Sequence, residues 1–239
     1  DIEVTPVKAG VRPPASAQVA KVFSVPWDGP NYEGDYVAVS RPEQPDSAYE
    51  NYNYTGRGNP AKLQAPSEPG QYEVRYVMAS GNKVLARAPI VIEKADAQVM
   101  APEFADMSAV FEIQWQGPGN ENDYISISLP DDQGQTYKNY TYTSKGNPAK
   151  LKAPSEPGKY EVRYILGKGA KILARTSITI LGVTAHVEAH ESASAASEFE
   201  VTWSGPNNPE DYVSLALPGD PGQTYKVYAY TKKGSPLKL

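Results

Sequence analysis

The chain has 239 residues, a formal net charge of -5, no cysteine, and 17 tyrosines against four phenylalanines and three tryptophans. The negative balance argues against binding to a phosphate backbone, because such binding needs a basic footprint. The lack of cysteine excludes disulfide bonds, thiolate metal sites and cysteine nucleophiles, and no apolar run reaches the roughly 18 residues that a membrane span needs.

The sequence repeats itself with a period of 88 residues and without insertions. The tryptophans and the Asp-Tyr pairs show the spacing: Trp27, Trp115, Trp203; Asp35-Tyr36, Asp123-Tyr124, Asp211-Tyr212. The period divides the chain into the end of an earlier strand (1–4), repeat 1 (5–93), repeat 2 (94–181) and repeat 3 (182–239). Repeat 3 stops before the counterparts of the last two strands predicted for repeat 2.

Each repeat is predicted to be all-β. In repeat 2 the predicted strands, in chain order, are AQVMAP, FEIQW, DYISISL, YKNYTYT, AKLKAP, KYEVRYIL and KILARTSITI. Alternation predicts that Ile125, Ile127 and Leu129 point into a core. Charged residues of the last two strands are predicted to form cross-strand pairs on a solvated face: Glu73, Arg75 and Arg87 in repeat 1, and Glu161, Arg163 and Arg175 in repeat 2. About seven short strands per repeat predict tandem immunoglobulin- or fibronectin-III-like β-sandwiches, the third one truncated.

Two further features refine this prediction. The segment LKAPSEPGKYEVRY is typical of a tyrosine corner, in which a tyrosine near the start of a late strand bonds to upstream backbone. Tyr72 and Tyr160 are the candidates. The linkers IEKADAQ (92–98) and ILGVTAH (180–186) are short, which predicts stiff, end-to-end packing of the sandwiches into a rod.

A stripe of tyrosines recurs on the fourth predicted strand of every repeat. Its members are the candidate ligand-binding residues: Tyr52, Tyr54, Tyr140, Tyr142, Tyr228 and Tyr230. If this face points outward, it forms an aromatic ladder suited to stacking on sugar rings or on a protein partner. If it points inward, the tyrosines cover the core and place their hydroxyls at a rim. Repetition at fixed register is compatible with both, and we favour the packing role.

Acidic loops precede the third predicted strand, and we considered them as calcium sites. They contain Asp35, Asp123 and Asp211, each near a glutamate. Calcium takes six to eight oxygen ligands, and two carboxylates per loop are too few alone. We therefore favour an aspartate that bonds the backbone of its own turn, and expect no cofactor apart from this weak calcium alternative.

The segment HVEAH contains both histidines of the chain. On a strand, His186, Glu188 and His190 share one face, which suits three ligands of a zinc ion. The other repeats have no such residues there, so plain exposure is favoured. The chain also lacks the nucleophile elbow, phosphate loop and dinucleotide-binding patterns, so we predict that it is not an enzyme.

The motif string of repeat 2 resembles a known family of repeats. It consists of Trp115-Gln116-Gly117-Pro118, Asp123-Tyr124, and the segments 137–143, 153–164 and 173–175. The string resembles the immunoglobulin-like repeats that follow von Willebrand A domains in exported bacterial proteins, and its first half is also similar to the sandwich of SKICH-type adaptors. The absence of cysteine also favours a bacterial source.

The resemblance implies a non-catalytic structural or interaction scaffold, extracellular or periplasmic, at a bacterial cell surface. A protein or glycan partner is expected, without identity, and nucleic acid is not. Carbohydrate binding by the tyrosine stripe and calcium-rigidified adhesion are the alternative functions. For the incomplete repeat 3 we favour the interpretation that the sequence is a piece of a longer array. Self-assembly, in which another molecule supplies the missing strands, is the alternative.

Overall fold

The computed structural model describes residues 5–239, and the predicted strand remnant at 1–4 lies outside them. Within the described residues the chain is built from 22 β-strands and has no α-helix. The helical segments there are five short 3₁₀ turns: Thr55–Arg57, Ser80–Asn82, Thr143–Lys145, Lys168–Ala170 and Thr231–Lys233. The prediction of an all-β fold is therefore confirmed.

Repeat 1 contains nine strands. They are β1 (Gly10–Val11), β2 (Ser16–Gln18), β3 (Val22–Val25), β4 (Trp27–Asp28), β5 (Tyr36–Ser40), β6 (Asn51–Tyr54), β7 (Ala61–Gln64), β8 (Gly70–Met78) and β9 (Lys83–Glu93). The largest sheet has the order β2-β9-β8-β5-β6, and β1-β4 and β3-β7 pair opposite it.

Repeat 2 shows the same arrangement in eight strands. They are β10 (Gln98–Met100), β11 (Phe104–Asp106), β12 (Val110–Gln116), β13 (Tyr124–Ser128), β14 (Asn139–Tyr142), β15 (Ala149–Lys152), β16 (Gly158–Leu166) and β17 (Lys171–Leu181). One sheet is β10-β12-β15, and the other is β11-β17-β16-β13-β14, in which β11 pairs parallel to β17. This is an immunoglobulin-like sandwich whose first strand is divided between the two sheets.

Repeat 3 repeats the first part of this pattern. Its strands are β18 (His186–Ala189), β19 (Glu200–Ser204), β20 (Tyr212–Leu215), β21 (Val227–Tyr230) and β22 (Leu237–Lys238). They form the sheets β18-β19-β22 and β20-β21. Within residues 182–239 there is no counterpart of β16 or β17, as the sequence predicts.

The core of each complete sandwich lies between its two sheets. In repeat 2, Ile113, Ile125 and Ile127 are fully buried, as predicted, because alternate residues of β12 and β13 face the opposite sheet. The prediction for Leu129 is wrong, since this side chain is 40% exposed. Strand β13 ends at Ser128, and Leu129 begins the loop that follows, where the alternation no longer applies.

The predicted tyrosine corners are present in both complete sandwiches. The Tyr72 hydroxyl donates to the Glu68 carbonyl, and the Tyr160 hydroxyl donates to the Glu156 carbonyl, each over 3.0 Å. These bonds fix the chain at its entry into β8 and β16. They give independent support to the assignment of an immunoglobulin-like sandwich.

The prediction that Arg75 and Arg163 face solvent is wrong, because both side chains are fully buried. The predicted cross-strand pairing is present between Arg175 on β17 and Glu161 on β16, at 3.4 Å. Arg163 Nε lies 2.9 Å from a carboxylate oxygen of the same Glu161, within one strand. The guanidinium also donates to the carbonyls of Leu129, Pro130 and Asp132, at 2.7–2.8 Å. The loop after β13 folds over the arginine, so the side chain satisfies backbone groups that would otherwise lack partners.

Repeats 1 and 2 are joined by more than their linker. Leu166, at the end of β16 in repeat 2, is fully buried and belongs to the hydrophobic core of repeat 1. Beside it, Lys168 Nζ donates to the Ala65 carbonyl at 3.3 Å, and burial lowers the pKa of this lysine. The turn between β16 and β17 is therefore part of the packing of the preceding sandwich.

Candidate ligand-binding site

The outer face of the hairpin formed by β13 and β14 collects tyrosines because of its register. Tyr124 pairs with Tyr142, and Ser126 pairs with Tyr140, whereas Ile125 and Thr141 pair between them. Residues paired across an antiparallel ladder share a face. Since Ile125 and Thr141 are buried, the tyrosine pair and its neighbour Tyr140 point away from the core.

Four tyrosines form one cluster here, which we call the tyrosine platform of repeat 2: Tyr124, Tyr137, Tyr140 and Tyr142. The rings of Tyr137 and Tyr140 are the closest pair, with centroids 4.7 Å apart and a tilt of 54°. Tyr140 and Tyr142 stand nearly perpendicular, at 86° and 5.4 Å. The second pair has the edge-to-face arrangement that aromatic rings prefer, and the first is tilted. These contacts restrict the positions of the rings.

Both other repeats have the same platform. Its members are Tyr36, Tyr49, Tyr52 and Tyr54 in repeat 1, and Tyr212, Tyr225, Tyr228 and Tyr230 in repeat 3. The corresponding centroid distances agree within 0.3 Å across the three repeats. The platform is thus a property of the repeat.

The packing role that we favoured for the tyrosine stripe is wrong. The six stripe residues are 36–40% exposed, on the outer face of the sheet. The residues that cover the core from this strand are the alternate ones, Thr141 in repeat 2 and Ala229 in repeat 3, which are buried. The aromatic ladder that the sequence offered as the second interpretation is the arrangement present.

The platform of each repeat lies on one hairpin. In repeat 3 this hairpin is formed by β20 and β21, and its ring geometry matches that of repeats 1 and 2. Two bonds at the end of the hairpin fix the strands: in repeat 2 the Thr143 amide and hydroxyl both donate to the Asp123 carbonyl, at 2.9 and 3.1 Å. Thr55 and Thr231 make the same pair of bonds.

The periodic tryptophan holds the turn that follows the platform. Trp115 Nε1 donates to the Gly146 carbonyl at 3.1 Å, and Asn147 bonds both the amide and the carbonyl of Trp115. Trp203 makes the matching bond to the Gly234 carbonyl. Gly146 has a φ of 117°, a conformation that favours glycine. The motifs at 115–118 and 146–148 therefore position the platform.

The phenols of Tyr124 and Tyr142 are neutral at ordinary pH. Burial and the neighbouring Tyr137 raise the pKa of Tyr124, and a hydrogen bond with Tyr140 raises the pKa of Tyr142. A pKa above the usual value of about 10 keeps each hydroxyl protonated. The platform thus offers ring faces together with hydroxyls that both donate and accept hydrogen bonds.

In repeat 1 the platform borders a depression of about 460 Å³. Gly34, Ser47, Ala79 and Asn82 complete its lining beside the tyrosines. Arg57 lies over the outer ring of this platform, with its guanidinium carbon 5.5 Å from the centroid of the Tyr54 ring. A cation at this distance interacts with the aromatic face.

The three aspartates considered as calcium ligands accept hydrogen bonds that hold the backbone of their own loops. Asp123 is buried and accepts from the Tyr164 hydroxyl at 2.8 Å, from the Asn120 amide at 2.9 Å and from the Gly167 amide at 2.8 Å. Asp35 accepts the equivalent three bonds in repeat 1, and Asp211 accepts from the Asn208 amide. Carboxylate oxygens occupied by donors in this way do not suit cation binding, which supports the turn-bracing interpretation.

The histidine segment lies on an exposed strand. His186 and Glu188 are on β18, with His186 Nε2 3.0 Å from a Glu188 carboxylate oxygen, whereas His190 follows the end of the strand. Among the described residues 5–239, no group of three or more histidine, aspartate or glutamate side chains is placed to hold a metal ion. The structure therefore gives no support to the zinc alternative.

Two tyrosines of each platform were not predicted as site residues. Tyr137 and Tyr124, with their counterparts in the other repeats, belong to the cluster although they lie outside the alternating stripe. The signal was present in the sequence, because both positions keep tyrosine at the 88-residue period. The register that brings β13 beside β14 was the missing information.

Comparison with known proteins gives structural similarities only. No family model and no curated protein matches the chain. A crystal structure of the chicken CNTN1 FN1-FN3 domains aligns with 98% of this chain and 88% of its own, at 13% identity and a TM-score of 0.29. The Yersinia pseudotuberculosis adhesin InvE aligns with 73% of this chain and 58% of its own, at 11% identity and a TM-score of 0.28.

A third similar structure is the D0-D1 domain of intimin, which aligns with 73% of this chain and 98% of its own, at 15% identity and a TM-score of 0.24. The assignment of tandem immunoglobulin-like repeats follows from the strand order and the tyrosine corners described above. No helix of the described residues is long and apolar enough to cross a membrane.

Proposed function

We propose that the chain is a non-catalytic interaction scaffold that presents one tyrosine platform per repeat, and that the platforms bind carbohydrate. The observation that supports this most is that the same four-ring cluster recurs in all three repeats and that three of its rings are exposed in each. Twelve of the 17 tyrosines of the chain belong to these clusters. Exposed aromatic patches in a soluble protein mark interaction sites.

The chemistry of the platform fits a sugar ring. Its aromatic faces pack against the apolar face of a pyranose, and its hydroxyls bond the hydroxyls at the rim of the sugar. Tyrosine provides this contact area at a low conformational cost, because it has only two side-chain torsions. The mutual edge-to-face contacts restrict these torsions further.

The contacts between repeats support a stiff scaffold. Besides Leu166 and Lys168, Lys171 forms an ion pair with Glu68 at 2.9 Å, and Asn120 donates to the Val19 carbonyl at 3.3 Å. A stiff spacing between platforms favours the simultaneous binding of several units of one long glycan, since the second contact is then intramolecular. The motif resemblance to exported repeats supports a place at a bacterial cell surface.

The test is a panel of immobilised oligosaccharides, neutral and acidic, probed with the full chain. A variant with alanine at the six stripe tyrosines provides the comparison, and circular dichroism checks that it remains folded. We expect the chain to bind at least one class of glycan and the variant to bind none. Binding that survives in the variant would contradict the assignment of the platform as the site.

A further inference from the structure

The basic side chains of the chain are unevenly placed with respect to the tyrosine platforms. The segments that carry the platform strands, 49–60, 137–148 and 225–236, have net charges of 0, +2 and +3, while the whole chain has -5. The rest of the chain is therefore strongly acidic. A local excess of cations on an acidic protein focuses anions at that place.

Several of these cations flank the rows of tyrosine rings. Lys138 and Lys226 occupy, in their repeats, the position two residues before the first stripe tyrosine, and both are exposed. At the other end of the strand, Lys232 Nζ lies 5.1 Å from the centroid of the Tyr230 ring. Cations thus lie at both ends of the row of rings in repeat 3.

We propose that the ligand of the platforms of repeats 2 and 3 is an acidic polysaccharide, whose sugar rings stack on the tyrosines while its carboxylates or sulfates pair with the flanking lysines. This inference rests on the carbohydrate function proposed above. The neutral state of the phenols matters here, because raised pKa values leave no phenolate that would repel an anion. The flanking lysines Lys138, Lys226 and Lys232 are exposed, so a ligand on the platform can reach them.

Repeat 1 serves as an internal comparison. It has the same rings, but Glu50 stands where repeats 2 and 3 have Lys138 and Lys226. Glu50 accepts a hydrogen bond from Gln44 at 3.1 Å, in front of the platform strand. Because repeat 1 keeps a cation only at the other end of its platform, Arg57 beside Tyr54, its platform should prefer acidic sugars less than the platforms of repeats 2 and 3 do.

The experiment uses two ligands with one backbone: a galacturonate oligosaccharide and its methyl ester, which differ in charge and not in ring structure. Isothermal titration of the full chain should give tighter binding of the acid form. Raising the salt concentration from 0.1 to 1 M shortens the screening length from about 10 Å to about 3 Å, and should remove this preference while leaving the ester unaffected.

Two matched variants test the lysines. Replacing Lys138, Lys226 and Lys232 by glutamine should weaken binding of the acid form by about threefold to tenfold, as expected for exposed ion pairs. The same change at Lys62, Lys150 and Lys238, which repeat on the opposite sheet, should leave it unchanged. Glu50→Lys should raise the preference of the chain for the acid form.

The outcomes separate the two proposals. Equal binding of acid and ester would overturn the inference about charge and leave the carbohydrate function intact. Binding of neither ligand, with the chain folded, would overturn both. Binding of a single-stranded oligothymidylate to the full chain is measured last, because aromatic rings flanked by cations also suit single-stranded nucleic acid. Binding of that probe as tight as that of the acid sugar would overturn the inference in favour of a general polyanion site.

Discussion

Replacing Leu166 by alanine should destabilise repeat 1, although the residue belongs to repeat 2. The side chain is fully buried and forms part of the repeat 1 core, beside residues such as Val19 and Ala65. A buried leucine replaced by alanine costs about 2–5 kcal/mol, depending on how far the site collapses. Because the site lies between two sandwiches that can relax toward each other, we expect the lower end, about 2 kcal/mol.

Hydrogen exchange with mass spectrometry is the suitable assay, because it reports stability by segment. A loss of about 2 kcal/mol should speed exchange of the slowest amides in β3 and β7 by about 30-fold. Ile127→Ala, a change of similar size inside the core of repeat 2, is the control and should act mainly on β13 and β16. If Leu166→Ala leaves exchange in repeat 1 unchanged, the contact between the repeats carries no stability and the stiff scaffold loses its main support.

Four further predictions follow from particular contacts. Alanine at both Tyr140 and Tyr142 should lower the free energy of unfolding by at most about 2 kcal/mol, whereas Tyr164→Ala should cost about 3–5 kcal/mol, as urea titration can measure. Arg163→Met should cost about 3–5 kcal/mol in the same titration, because it leaves Glu161 and three loop carbonyls without their buried partner. Burial and the bond to Asp35 raise the pKa of Tyr76 to about 12, so stability that is complete below pH 10 should fall between pH 10 and 12, and Tyr76→Phe should flatten that fall. Adding calcium or zinc should leave the melting temperature unchanged, and a clear rise would contradict the turn-bracing role of the loop aspartates.

The sequence allowed the fold to be predicted because its signals are local and repeated. The 88-residue period, the alternation in DYISISL and the segment around Tyr160 each depend on a few neighbouring residues, and the structure agrees with them. The solvent exposure of Arg163 was predicted wrongly, and the reason is physical. Alternation along β16 assigns it to the outer face, but the loop from Leu129 to Thr136 folds over that face and buries it, and no local pattern reveals such a cover.

The candidate site was also predictable only as far as local patterns allow. The strand period correctly separated Tyr140 and Tyr142 from Thr141, but it did not reveal which of the two faces meets the core. The same alternation is compatible with buried threonines and exposed tyrosines, and equally with exposed threonines and buried tyrosines. The pairing of β14 with β13, which places Ile125 opposite Thr141, decides the question.

The most direct test of the account is the stoichiometry of glycan binding by the full chain, measured by isothermal titration with a short oligosaccharide found in the panel. Independent platforms in the three repeats predict close to three ligands per chain, and close to two when Tyr140 and Tyr142 are replaced by alanine. A stoichiometry of one, or a value that this double replacement does not change, would contradict the claim that each tyrosine platform is a binding site.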